Sequence, residues 1–189
     1  MLDAPPLALY IHLPWCERKC PYCDFNSHTV SEEAPFVAYV QRLLQDLELE
    51  LDGVAGRELQ SIFIGGGTPS LCPDPLIATL LDGVRARMVL ATDAEITLEA
   101  NPGSADAGRF AGYRAAGVNR LSIGVQSFDD TSLAALGRVH DARGAHAAIT
   151  AARAAGFDAL NLDLMHGLPG QTDAMAMADL AAALAHTPE

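Results

Sequence analysis

The sequence predicts an α/β fold, a partial TIM-type (β/α) barrel holding its first five βα units. Three observations predict it. Strand-like and helix-like runs alternate along the chain at the spacing of right-handed βαβ units. In the later strands aliphatic residues occupy one parity and polar residues the other, so the two faces of the sheet differ. The polar positions lie toward the C-terminal strand ends, where barrels bind ligands. An open sheet covered on both faces reads apolar throughout, so the alternation favours a barrel.

The first strand is the apolar run Leu7–Leu13, and it leads directly into a cysteine-rich loop. A helix is predicted over about residues 34–52, because Phe36, Val40, Leu44, Leu47 and Leu51 recur near helical spacing. Gly53 and Gly56 end it. Residues 61–64 form a short strand that runs into Gly65-Gly66-Gly67-Thr68-Pro69. The next helix spans about residues 74–87, with Pro75 in its first turn, where a missing N–H is harmless. The third strand is 94–100, broken by Asn101-Pro102-Gly103. A helix over about 105–116 stops at Gly117, and 119–126 is the fourth strand. Helical residues follow at about 130–136 and 143–155, the latter ended by Gly156. The fifth strand is 159–165, then a Gly-Leu-Pro-Gly turn and a last helix over about 172–185.

Parity sorts the strand residues. Ile96, Leu98 and Ala100 oppose Thr97, Glu99 and Asn101; Leu121, Ile123 and Val125 oppose Ser122, Gly124 and Gln126. Leu160, Leu162 and Leu164 oppose Asn161 and Asp163. The aliphatic set suits packing beneath helices and the polar set faces the barrel interior. Five strands do not close an eight-stranded barrel, so the chain is expected to be a truncated barrel or a fragment of one.

The 189 residues, half of them hydrophobic, suffice for a real core. No apolar run approaches the roughly 20 residues of a membrane span, and the N-terminus lacks the features of a secretory signal. A soluble, cytoplasmic protein is expected. A net charge of −12 argues against a surface that tracks nucleic-acid phosphates.

Three of the four cysteines, Cys16, Cys20 and Cys23, stand at C-x3-C-x2-C spacing in one loop. In a reducing compartment such a cluster reads as a metal site before a disulfide framework. A [4Fe–4S] cluster accepts three cysteines and leaves one iron open to a ligand. The alternative is zinc, with His12, His28 or Cys72 as fourth ligand, in a zinc-stabilised binding module. Cys72, between Leu71 and Pro73, is expected to be a bystander. Gly65–Pro69 is either a loop that lets a ligand approach the backbone or a tight turn before the helix. Glu99, Gln126 and Asp163 are polar ends of three strands on one parity and form a candidate ligand site. Arg138 is a candidate partner for a carboxylate. His140 and His166 receive no role from the sequence.

Tyr10-Ile11-His12-Leu13-Pro14-Trp15 before the cysteines, with Gly65–Pro69, resembles the radical S-adenosylmethionine (SAM) enzymes. Within them the chain is similar to the branch shared by oxygen-independent coproporphyrinogen III oxidases and HemW-type heme chaperones. Residues 63–70, 99–103, 124–128 and 161–169 also resemble motifs of this branch. The resemblance implies a [4Fe–4S] cluster on Cys16, Cys20 and Cys23, with the amino and carboxylate groups of SAM on the fourth iron. It implies SAM contacts at Tyr10, Tyr22, Gly66, Gly67, Thr68, Glu99, Gln126, Arg138 and Asp163. An electron passed to the sulfonium would break the S–C5′ bond to give methionine and a 5′-deoxyadenosyl radical.

The oxidases carry a fourth cysteine two residues after the third, where this chain has Phe25. Phe25 favours the heme-chaperone side and argues against coproporphyrinogen III oxidase activity. The implied partners are heme, apo-hemoproteins of the respiratory chain and an electron donor, a reductase or flavodoxin-like protein. The resemblance further implies that residues 1–189 are the radical SAM core, truncated before its C-terminal strands, without the family's C-terminal module.

Overall fold

The computed structural model describes residues 4–30, 34–54, 56–102 and 107–189. The expected Gly103 break and the helix start at Ala105 lie outside these residues. Strand β1 is Leu7–Leu13, and two short strands, β2 (Trp15–Cys16) and β3 (His28–Thr29), bracket the cysteine loop. Helix α1 (Phe36–Glu50) leads through a 3-10 turn to β4 (Leu59–Gly66). A second 3-10 turn, Pro69–Leu71, precedes α2 (Asp74–Arg85) and β5 (Leu90–Ala100). Then come α3 (Ala107–Ala116), β6 (Arg120–Gln126), α4 (Asp130–Ala135), α5 (Ala142–Ala154), β7 (Ala159–Leu164) and α6 (Asp173–Leu184).

The main sheet has five strands in the order β1-β4-β5-β6-β7, with every pair parallel. Sequential parallel order with a helix in each crossover is the arrangement of a barrel wall. The aliphatic parity packs against the helices. Ile11, Leu13, Ile62, Ile64, Ile96, Leu98, Leu121 and Ile123 are buried there with Leu80, Leu81, Phe110, Tyr113 and Ile149 from the helix layer. Burying each such side chain contributes roughly 1.5–3 kcal/mol. The other parity faces the concave side and is more open. Tyr10 is 57% exposed there, with its ring 6.3 Å from that of Phe63.

The last three helices start on side-chain caps that meet otherwise orphaned amides. Asp129 accepts from the Ser132 amide, Asp141 from Gly144 and Thr172 from Met175. Two strands are longer than the sequence reading gives. β4 starts at Leu59 and β5 at Leu90, because Leu59 pairs with Leu90 across a register shift and its amide donates to Val89 O at 2.9 Å. That pairing comes from backbone contacts, and the Thr92-Asp93 stretch carries no apolar alternation to announce it. No helix among the described residues is long and apolar enough to cross a membrane.

Candidate functional site

The cysteine loop is stitched at its base. The His28 amide donates to Pro14 O at 2.7 Å and the Val30 amide to Cys16 O at 2.8 Å, so β2 and β3 close the loop as a small parallel pair. The glycine stretch after β4 grips the same stem. Gly67 N–H donates to Leu13 O at 2.8 Å and Thr68 N–H to Trp15 O at 2.7 Å, while Gly66 N–H donates to Glu99 Oε2 at 3.0 Å. A side chain at Gly67 would place Cβ 2.6 Å from Trp15 O. The close approach these glycines permit is therefore that of the chain's own Leu13–Trp15 backbone, and these three amides are already engaged.

The strand ends meet above this stem. One cavity of about 520 Å³ is lined by Cys16, Cys20, Tyr22 and Cys23 from the loop, and by Gly66, Gly67 and Thr68 at the end of β4 and just beyond it. Glu99, Gln126, Arg138 and Asp163 complete its polar wall. Of the residues that the resemblance assigns to the cluster and SAM, Tyr10 alone does not line it; its hydroxyl is 2.9 Å from His12 Nδ1. Sequence reasoning passed over Asn101, Ser122 and Gly124, which also line the cavity. The signal was available, since each shares the inward parity of Glu99 or Gln126.

Arg138 ties the parts together. Nη2 donates to Gly124 O at 2.8 Å and Asn101 Oδ1 at 3.0 Å; Nη1 reaches Tyr22 Oη at 3.2 Å and Cys20 Sγ at 3.5 Å. Its buried Nε has no partner. Two carboxylates share the cavity wall with this cation. Burial pushes the Glu99 pKa up, opposed by the Gly66 N–H and reinforced by the charge of Asp163. The Asp163 pKa is also raised by burial, held back by hydrogen bonds from Asn161 Nδ2 at 2.6 Å and Ser122 Oγ at 3.4 Å. The wall thus offers thiols, two carboxylates eager for a cationic partner, and a guanidinium suited to a carboxylate.

The donor set fits an iron–sulfur cluster with a zwitterionic ligand beside it. The four cysteines are free thiols, and three share a cavity of small-molecule size. Among the described residues, no three His, Cys, Asp or Glu side chains stand gathered into a ready metal site, the three cysteines included. The fourth ligands considered for zinc are placed elsewhere. His12 Nε2 donates to Asn26 O at 2.8 Å and its other ring nitrogen meets Tyr10, so both nitrogens are engaged. Cys72 is fully buried in the hydrophobic core, and His28 is absent from the cavity lining.

The chain is 56% identical to the heme chaperone HemW of Escherichia coli strain K12 over 188 residues, all of this chain and 50% of that protein. It is 50% identical to the heme chaperone HemW of Haemophilus influenzae over 192 residues, again 100% of this chain and 50% of that protein. The chain therefore spans about half the length of these curated relatives. Among solved structures it superimposes on E. coli coproporphyrinogen III oxidase, HemN, described as a radical SAM enzyme. The TM-score is 0.87 at 32% identity, covering 97% of this chain and 42% of that one. The profile of the radical SAM superfamily matches residues 10–182, and the chain belongs to that superfamily.

Proposed function

We propose that this chain is the SAM- and cluster-binding part of a cytoplasmic heme chaperone that delivers heme to respiratory apo-hemoproteins. The observation that carries it is the single cavity in which three free thiols meet the polar ends of parallel strands. Cys16, Cys20 and Cys23 would hold a [4Fe–4S] cluster, which would supply reducing power to a bound SAM. Glu99 and Asp163 favour the cationic amino end of SAM, and Arg138 its carboxylate. Gly66, Gly67 and Thr68 shape the wall beside the cluster, and Tyr22 is oriented by Arg138. Tyr10, whose hydroxyl meets His12 Nδ1, is a further candidate SAM contact.

Phe25 separates the chaperone from the oxidase reading. It lines the cavity and is 63% exposed, where the oxidases carry a further cysteine. The similarity to HemN keeps the oxidase as the second reading. Anaerobic reconstitution of the full-length protein tests the shared part: about four irons and four sulfides per chain are expected, with an EPR spectrum that changes on adding SAM. Heme titration tests the chaperone, which requires a Soret shift and transfer to an apo-hemoprotein. Vinyl product from coproporphyrinogen III under reducing conditions would replace the chaperone by the oxidase.

A further inference from the structure

Three consecutive carbonyls at the end of β6 each accept a hydrogen bond from another segment. Gly124 O accepts from Arg138 Nη2 at 2.8 Å, Val125 O from His140 Nε2 at 3.0 Å, and Gln126 O from the Met165 amide at 2.9 Å. The last of the three, Gln126, has φ of +69°. A non-glycine residue keeps this left-handed backbone only where its surroundings over-determine it, and such residues cluster at ligand sites. The Ser127 amide also reaches Val125 O at 2.9 Å, so the turn is tightened from within and held from outside by the imidazole.

The His140 ring is 7% exposed and does not line the cofactor cavity. Its Nδ1 is buried without a partner. A carbonyl only accepts, so the proton sits on Nε2 and Nδ1 is a bare lone pair. Burial pushes the imidazole pKa down, opposed by the bond to Val125. A phenyl group would fill this space without burying an unsatisfied nitrogen. What the imidazole adds is one N–H, aimed at the peptide that carries the left-handed glutamine.

We infer that His140 is a positioning residue for SAM binding: its Nε2–H bond to Val125 O fixes Gln126 and, two residues back along its own segment, the fork of Arg138. This rests on the reading of the cavity as a SAM site. The residue acts through its neighbours and touches no cofactor itself.

The test uses the full-length protein, reconstituted anaerobically, as wild type, His140→Phe and His140→Gln. SAM is titrated against the EPR spectrum of the reduced cluster, with iron content and thermal unfolding measured in parallel. Phenylalanine keeps the bulk and removes the donor; glutamine restores a terminal N–H. His140→Phe is expected to lose roughly tenfold or more in SAM affinity at unchanged iron content, with His140→Gln recovering most of it. A phenylalanine variant that binds SAM like wild type overturns the inference, as does a glutamine variant no better than phenylalanine. Should the phenylalanine variant fail to fold or to load, nitrogen-15 NMR of the wild-type ring decides. A ring protonated on Nε2 with a bare Nδ1 is expected, and a proton on Nδ1 overturns the inference. A wild-type cluster indifferent to SAM removes the underlying reading instead, and is recognised because it precedes any mutation.

Discussion

Arg138 Nη1 stands 3.5 Å from Cys20 Sγ, a contact between residues 118 positions apart in the chain. Through it the cysteine loop at one edge of the sheet is joined to the ends of β5 and β6, where Nη2 holds Asn101 Oδ1 and Gly124 O. The guanidinium is therefore both a candidate ligand for the SAM carboxylate and a brace for the loop.

Replacing Arg138 separates these roles. Arg138→Met removes the donor to Gly124 O, a loss on the order of 1.5–3 kcal/mol for a charged group's hydrogen bond. We expect SAM affinity to fall by more than tenfold at that magnitude, with iron retained less well on desalting. Arg138→Lys restores the charge without the planar fork, so iron retention recovers and SAM affinity recovers only in part. Iron analysis and calorimetric titration with SAM measure the two effects separately. Equal loss of both in the lysine variant would show that the charge is irrelevant to loop bracing.

The cysteines divide cleanly by environment. Cys72 is completely buried and burial pushes its thiol pKa up to about 12. At pH 8 its thiolate fraction is then on the order of one in ten thousand, and the thiolate is the reactive form. In the native apo-protein, iodoacetamide is expected to modify Cys20 and Cys23 and to spare Cys72 until the chain is denatured. Cys72→Ala retains the cluster, whereas alanine at Cys16, Cys20 or Cys23 abolishes it. Peptide mass mapping and iron content report both outcomes, and loss of iron on Cys72→Ala would reassign the ligand set.

Much of this arrangement is legible from side-chain identity alone. The parity of Glu99, Gln126 and Asp163 follows from a two-residue strand period, and all three meet at one cavity. The same rule applied without exception would have included Ser122, Gly124 and Asn101. What the sequence conceals is set by the backbone. The pairing of Trp15–Cys16 with His28–Thr29 joins four residues that carry no strand pattern. The left-handed Gln126 is a residue type that does not announce positive φ. The role of His140 depends on which carbonyl its ring meets, a matter of tertiary contact that loop position does not reveal. The buried Asp179 is a further case: from α6 it accepts from Ser127 Oγ at 2.8 Å and the Phe128 amide at 2.7 Å, anchoring the loop after Gln126.

The Glu99 carboxyl is poised against its own charge. Its pKa in the folded chain is raised, chiefly by burial, so over the interval between the ordinary carboxylate value and the raised one the folded state binds more protons than the unfolded state. Stability then falls as pH rises through that interval, and the unfavourable contribution is complete above the raised pKa. Glu99→Gln removes the charge and keeps an acceptor for the Gly66 amide. We expect this variant to unfold at a higher temperature than wild type at neutral pH, with the difference vanishing below the carboxylate range. It should also lose SAM binding, because the amino group of SAM loses its counter-charge. Thermal scans across pH check the sign; a variant less stable than wild type at neutral pH would contradict it.

Gly67 is tightly hemmed in by the backbone of the stem. A Cβ there would meet Trp15 O at 2.6 Å and Pro14 C and O at 2.8 Å, contacts with backbone that no side-chain rotation relieves. The amides of Gly67 and Thr68 are also the donors to Leu13 O and Trp15 O, so shifting the stretch breaks the bonds that seat the cysteine loop. Gly67→Ala is therefore expected to cost about 1–3 kcal/mol of stability, the usual range for forced overpacking. A protein that still folds should load iron poorly, because Cys16 follows Trp15 directly. Gly53→Ala is the control, since a Cβ at that glycine meets nothing within 4 Å; its stability should stay within about 0.5 kcal/mol of wild type. Denaturant unfolding of the apo-proteins gives the stability difference, and iron per chain after reconstitution gives the loading. If Gly67→Ala matches Gly53→Ala in both measurements, the glycine stretch is not what seats the cysteine loop.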